Sequence, residues 1–139
     1  MKKIVLLTLL CLSTSLFADG SKIEFDQGWI KQLPPVVPMR AGYVQIHNPT
    51  SSDIEIIAAQ SDAFARVEIH ETQMVDGMMK MVELETLPLP AKSTVELKPG
   101  GKHLMMMEPL HAMQVGDKIN LIFTFSDNQS SQVTLEVRP

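Results

Sequence analysis

Short runs of alternating apolar and polar residues, each ended by Pro, Gly, Asn or Asp, constrain the fold of this chain most strongly. Successive side chains of a strand point to opposite faces of a sheet, so this alternation predicts half-buried strands, and β-branched residues in the runs favour the same structure. We find no convincing helical pattern. The predicted strands are residues 22–26, 42–47, 54–59, 66–72, 78–84, 94–97, 102–107, 118–125 and 132–137. The sequence therefore predicts one all-β domain, a sandwich or barrel.

The segments between the predicted strands contain typical turn residues. Asp76-Gly77 separates two predicted strands and predicts a hairpin with a type I′ turn, because both central residues of that turn need a positive φ. Pro99-Gly100-Gly101 predicts a second tight turn, and the three prolines between Gln32 and Met39 predict an extended loop.

The first 18 residues have the pattern of a secretory signal peptide. Lys2 and Lys3 precede an almost wholly apolar stretch, residues 4–17, and Ala18 precedes the polar Asp19. The stretch is shorter than the roughly 20 residues that span a bilayer, and no other stretch approaches that length. We therefore predict a cleaved signal peptide, residues 1–18, and an exported soluble domain, residues 19–139, without a membrane span. Cleavage after Ser15 is an alternative, because Leu16 is a poor match two residues before Ala18.

The single cysteine, Cys11, lies inside the predicted signal peptide. Leu10 precedes it where a lipid-attachment site needs a small residue, which disfavours a lipid anchor. The mature chain would therefore contain no thiol, and this excludes disulfides, thiolate metal sites, cysteine nucleophiles and covalent c-type haem. A core must stabilise the domain, and about 120 residues can supply one.

Charge and motifs exclude several classes of function. The net charge is -4, no basic run is present and aromatic residues are few, so nucleic-acid binding and adsorption to an anionic membrane are not expected. The chain has no Gly-x-Ser-x-Gly motif and no phosphate-binding glycine loop. Glu83 and Glu85 share a strand face and are interpreted as solvated surface. We therefore do not expect an enzyme.

Strand alternation also assigns side chains to faces. Val67 and Ile69 are expected to enter the core from one strand, and Leu104 and Met106 from another, so the alternate residues lie on the opposite face. The residues placed away from the core in this way are Glu68, His70, Met81, Glu83, Glu85, His103, Met105 and Met107. Several methionines thus lie where burial does not explain them.

Methionine and histidine together indicate copper. A thioether is a soft ligand that takes no proton, and with imidazole it suits Cu(I) better than Mg²⁺ or Ca²⁺, which prefer oxygen. Zinc prefers Cys, His and carboxylate. A blue-copper centre needs a thiolate, which the mature chain would lack. Carriage of copper as cargo therefore fits these residues better than electron transfer.

The spacing of four of these residues resembles a known family. His70, ten residues, Met81, twenty-one residues and then His103-Leu104-Met105 match the H-x10-M-x21-H-x-M motif of the PCuAC periplasmic copper chaperones. Neighbouring segments resemble the family as well: Val67 to Thr72, Asp76-Gly77, Met79-Lys80-Met81 and Pro99-Gly100-Gly101. The resemblance extends from about Trp29 to Arg138.

This resemblance implies a cupredoxin-like Greek-key β-sandwich that binds Cu(I) through His70, Met81, His103 and Met105. It also implies a periplasmic metallochaperone that delivers copper towards the CuA centre in subunit II of cytochrome c oxidase, beside a Sco-type thiol protein. We expect a monomer. Some members carry a further site in a His- and Met-rich tail, which is not expected here because the sequence stops at Val137-Arg138-Pro139, directly after the last predicted strand.

Other interpretations stay open at this point. Taken singly, His70 and His103 could be ordinary strand or turn histidines, and Met81 and Met105 could be packing residues. Met79 and Met107 could be auxiliary ligands or an apolar rim, and His111 could reach the metal or be solvated. The same site could serve copper storage or resistance. Alternatively, the chain could be an exported interaction module whose methionines bind another protein.

Overall fold

The computed structural model describes residues 22–139, so the predicted signal peptide and Cys11 lie outside the described residues. Within this range the chain forms ten strands. They are β1 (Glu24–Lys31), β2 (Met39–Asn48), β3 (Ile54–Gln60), β4 (Phe64–Val75), β5 (Met78–Glu83), β6 (Leu87–Leu89), β7 (Ser93–Leu97), β8 (Lys102–Pro109), β9 (Lys118–Phe125) and β10 (Ser130–Arg138). In residues 22–139 no helix is long and apolar enough to cross a membrane.

The strands form one continuous hydrogen-bonded surface in the order β5-β4-β8-β2-β1-β10-β9-β3-β6, with β7 paired to β2. β1 and β10 are parallel, and the other pairings are antiparallel. One residue pair, Ala59 with Val67, joins β3 to β4 and closes the surface on itself. The all-β sandwich predicted from the alternation is therefore confirmed, in the form of a closed barrel.

A single apolar core fills the interior. It takes alternate residues from nearly every strand, such as Leu104 and Met106 of β8 and Leu121 and Phe123 of β9, which are fully buried. Ile69 of β4 joins the same cluster. The faces assigned from the sequence to these β4 and β8 residues are confirmed.

Two features of the fold differ from the sequence prediction. β1 continues to Lys31, past the predicted end at Asp26, because a bulge between Asp26 and Trp29 shifts the register and lets pairing with β2 resume. β6 was not predicted. Its sequence Leu-Pro-Leu contains a proline, which is typical of a loop, but Pro88 lies at an edge of the sheet, where a missing N–H costs no ladder hydrogen bond.

The predicted hairpin at Asp76-Gly77 is present and joins β4 to β5. Asp76 has φ 51° and Gly77 has φ 76°, as a type I′ turn requires. β4 pairs with β8 as far as Glu71 opposite Lys102, whereas it pairs with β5 as far as Val75 opposite Met78. The end of this hairpin is therefore a two-stranded arm that extends past the sheet, and we call residues 72–81 the methionine arm.

Candidate metal centre

Register places the four predicted ligands on one face of three adjacent strands. His70 of β4 lies directly opposite His103 of β8, and Met105 is two residues further along β8. On the other side of β4, Met81 of β5 lies opposite Thr72, which is two residues from His70. Paired residues of an antiparallel sheet share a face, as do residues two apart on one strand. His70 therefore has His103 across from it and a methionine on each diagonal.

His103 has one ring nitrogen engaged and one without a partner. Its Nδ1 lies 3.0 Å from the carbonyl oxygen of Gly101, and because a carbonyl can only accept, Nδ1 carries the proton and donates it. The Nε2 lone pair is then available, and that buried nitrogen has no hydrogen-bond partner. The turn Pro99-Gly100-Gly101, which precedes β8, thus fixes the tautomer of His103.

His70 shows the same arrangement with the nitrogens exchanged. Its Nε2 lies 2.9 Å from a carboxylate oxygen of Glu68, which accepts a hydrogen bond from Nε2–H, and the buried Nδ1 has no hydrogen-bond partner. A histidine whose second nitrogen donates to a carboxylate or a carbonyl is the usual arrangement around protein-bound metals. Sequence analysis placed Glu68 on this face but did not assign it a role; its position two residues before His70 on one strand was the available signal.

The two rings are close enough to share one ion. Their centroids are 6.0 Å apart. A metal–nitrogen bond of about 2 Å places each ring centroid roughly 3.2 Å from the ion, so two rings on one ion can be up to about 6.4 Å apart. Within residues 22–139 no cluster of three or more His, Cys, Asp and Glu side chains could hold a metal ion. Met81 and Met105 lie on the diagonals of His70, and Glu83 lies directly opposite it on β5.

Burial across the site is graded. His103 and Met105 are buried, with 4% and 9% of their surface exposed, although they point away from the core cluster. The expectation that this face of β8 is not buried is therefore wrong for these two residues. Met105 lies between Glu68 of β4 and Ala41 of β2, and His103 lies beside His70 of β4. Met81 is 61% exposed because β5 is an edge strand. The site is thus closed on the β8 side and open to solvent on the β5 side.

The three residues considered as auxiliary ligands have different positions. Met79 lies on the same face of β5 as Met81, opposite Met74. The Met107 sulfur accepts a hydrogen bond from Arg66 at 3.3 Å. His111 is exposed in the loop after β8, and eight residues from His103 it is about 20 Å or more along the strand direction. The structure therefore does not bring His111 to this site.

One charged pair next to the site lies on the opposite face of the sheet. Lys102 Nζ lies 3.0 Å from a carboxylate oxygen of Glu71, and the Gln73 amide donates to the other oxygen at 2.8 Å. These contacts hold the pKa of the Glu71 carboxyl below its ordinary value, chiefly through the hydrogen bonds from Gln73 and Lys102. The pair joins β4 to β8 at the position next to His70 and His103.

Comparison with known proteins identifies relatives of the whole domain. The model of the LpqE-like family, described as "Putative lipoprotein LpqE-like", matches residues 23–137. The protein "Putative lipoprotein Lxx21020" of Leifsonia xyli is 31% identical over 122 residues, which are 87% of this chain and 71% of the relative.

Solved structures with the same fold are PCuAC domains. The "Copper-bound PCuAC domain from PmoF2" superposes with a TM-score of 0.71 at 19% identity, covering 85% of this chain and 93% of that domain. "CuI-DR1885" from Deinococcus radiodurans gives a TM-score of 0.66 at 23% identity, covering 80% of this chain and 74% of the other. The cupredoxin-like sandwich of the PCuAC domains, expected from the motif, is therefore confirmed as the fold of this chain.

Proposed function

This chain belongs to the LpqE-like family, and on that premise we propose that it is an exported carrier of Cu(I). In this proposal residues 1–18 are removed as a signal peptide and residues 19–139 form the copper-binding domain in the periplasm. The copper-bound PCuAC structures of the same fold support a role in copper binding, and the lipoprotein names of the family and of the Leifsonia relative support export.

The observation that carries the proposal is the pair of buried imidazole nitrogens without partners, His70 Nδ1 and His103 Nε2. A buried polar atom without a hydrogen bond costs roughly 1–3 kcal/mol. Two such atoms, in rings 6.0 Å apart and each fixed by an acceptor on its other nitrogen, are the arrangement that a bound ion would satisfy. Met81 and Met105 on the diagonals complete a set of two nitrogens and two sulfurs, which favours Cu(I).

The graded burial suggests how copper would leave. Thioethers are weaker ligands than imidazoles, and Met81 is the exposed member of the set. An acceptor thiolate or imidazole would therefore replace Met81 first and then the more buried donors, one ligand at a time and with no change in the oxidation state of copper. By resemblance, we propose that the acceptors are the CuA site of cytochrome c oxidase subunit II or a Sco-type thiol protein, reached by a monomeric carrier.

Copper titration of single variants tests the site. Met81→Ala and His103→Ala should each weaken Cu(I) binding in competition with a calibrated chelator, while Met78→Ala, on the opposite face of the same strand, should leave it unchanged. Circular dichroism of each variant checks that the fold is retained. X-ray absorption of the loaded wild type should show two nitrogen and two sulfur neighbours. Unchanged affinity in both variants, or a copper shell without sulfur, would refute the assignment.

Gene deletion separates delivery from storage. If the protein delivers copper to the oxidase, deletion should lower oxidase activity at limiting copper and added copper should restore it. If deletion lowers only copper tolerance, the protein stores or sequesters copper instead. If the protein purified from a copper-supplemented periplasm carries no copper, the interaction-module alternative is favoured.

A further inference from the structure

The methionine arm carries more thioethers than the four-ligand site uses. Met74, Met78, Met79 and Met81 are each 59–68% exposed, which is unusual for large apolar side chains on one short hairpin. Neither burial in the core nor the site at His70 accounts for Met74 and Met79. The arm is also the part of β4 and β5 that extends beyond the last residue pair between β4 and β8, Glu71 with Lys102.

Three of these methionines share one face of the arm. Met74 of β4 lies directly opposite Met79 of β5, and Met81 is two residues further along β5. Cross-strand neighbours have Cβ atoms about 4.5–5.5 Å apart, and diagonal neighbours about 7–8 Å. An unbranched methionine has three rotatable bonds, so three sulfurs at these separations can converge on one point. Met78 lies opposite Val75 and points to the other face.

The surroundings on this face suit a cation. Residues on the same face of the arm and next to it are Thr72 and Glu83, whereas Lys80 lies opposite Gln73 on the other face. No lysine or arginine of the arm therefore shares the face with the three sulfurs. Three thioethers without a carboxylate or imidazole at their centre select soft monovalent ions over hard divalent ones.

We propose that Met74, Met79 and Met81 form an outer site that captures Cu(I) from solvent or from a donor. The outer site shares Met81 with the site at His70, His103 and Met105, so an ion held on the arm exchanges Met74 and Met79 for the more buried donors without leaving the protein. No bond of the protein breaks and the copper stays Cu(I). The direction of this transfer rests on the proposed function, but the outer site is defined by the arm alone.

Silver titration of methyl-labelled methionine tests the outer site, because Ag(I) is a soft monovalent ion that does not change oxidation state. In the double variant His70→Ala/His103→Ala, the methyl resonances of Met74, Met79 and Met81 should shift along one shared binding curve, and that of Met78 should not. Adding Met74→Leu and Met79→Leu should abolish this binding, while adding Met78→Leu instead should preserve it. Separate curves for the three methyls, or an equal shift of Met78, would overturn the proposal.

A kinetic measurement tests the same idea with both histidines in place, in case their removal prevents folding. Met74→Leu/Met79→Leu should slow Ag(I) capture but leave one ion bound at equilibrium, and Met78→Leu should alter neither. An unchanged capture rate would overturn the outer site. Failure of the proposed function has a different signature: in the wild type the histidine resonances would not respond to Ag(I), while those of the arm methyls still would.

Discussion

Glu68 provides a quantitative test of the proposed copper site, because it holds His70 without being a ligand. Its carboxylate accepts the Nε2–H of His70 at 2.9 Å and is 22% exposed. Partners of this kind typically change metal affinity by about 10–100-fold when they are removed. Because Glu68 is partly exposed, we expect the lower end for Glu68→Ala, about tenfold weaker Cu(I) binding, which corresponds to about 1.4 kcal/mol.

Glu68→Gln should have a smaller effect. The amide oxygen can still accept from Nε2, but a neutral hydrogen bond has roughly half the strength of one to a carboxylate. We therefore expect roughly a threefold loss for Glu68→Gln, between wild type and Glu68→Ala. The measurement is Cu(I) competition with a chelator at fixed pH, with the free energy of unfolding determined in parallel.

Glu71→Gln is the matched control. It removes the same charge from the same strand, three residues away, but Glu71 faces the opposite side and binds Lys102. Its Cu(I) affinity should equal that of wild type. If the Cu(I) affinity of Glu68→Ala is within twofold of wild type while that of His70→Ala is much lower, the hydrogen bond from His70 to Glu68 does not contribute to Cu(I) binding. If Glu71→Gln weakens binding as much as Glu68→Gln, the effect is one of net charge alone.

Two further predictions concern pH and the core. Because the pKa of Glu71 is lower in the folded state, its contribution to stability is present above the unfolded-state pKa and is lost as pH falls through the folded-state pKa. Gln73→Ala or Lys102→Ala should raise the folded-state pKa of Glu71, which NMR titration of its carboxyl carbon measures. An unchanged pKa in both variants would contradict these contacts. Met106 is fully buried, so Met106→Ala should lower the free energy of unfolding in urea by about 2–5 kcal/mol, whereas the exposed Met78→Ala should change it by about 0.5 kcal/mol or less; equal effects would contradict the assigned faces.

The sequence pattern was sufficient to predict most of the fold because alternating strands and tight turns are determined locally. An alternating strand and an Asp-Gly turn depend on neighbouring residues, and the hairpin at Asp76-Gly77 has the predicted positive φ values. β6 and the second half of β1 depend on distant partners instead. Pro88 is tolerated only because its strand lies at an edge, and β1 resumes after its bulge only because β2 continues beside it.

The candidate site shows the same division. Motif spacing and alternation placed His70, Met81, His103 and Met105 on one side of their strands, and the register puts them on one common face. Sequence could not give the burial of His103 and Met105, since burial depends on which strands flank β8. It also could not give the acceptor on the His103 ring, because the Gly101 carbonyl reaches Nδ1 only when the turn before β8 has formed.

The position of the candidate site relative to the core bears on how a carrier can release its ion. In many small metal-binding domains, metal binding supplies the free energy of folding, so the domain unfolds when it loses the ion. Here β8 serves two faces: Leu104 and Met106 belong to the core cluster, while His103 and Met105 lie outside it. The apolar core is complete without the four proposed ligands. A carrier built in this way can give up its cargo while the scaffold that orients both imidazoles stays folded, and is then ready to bind again.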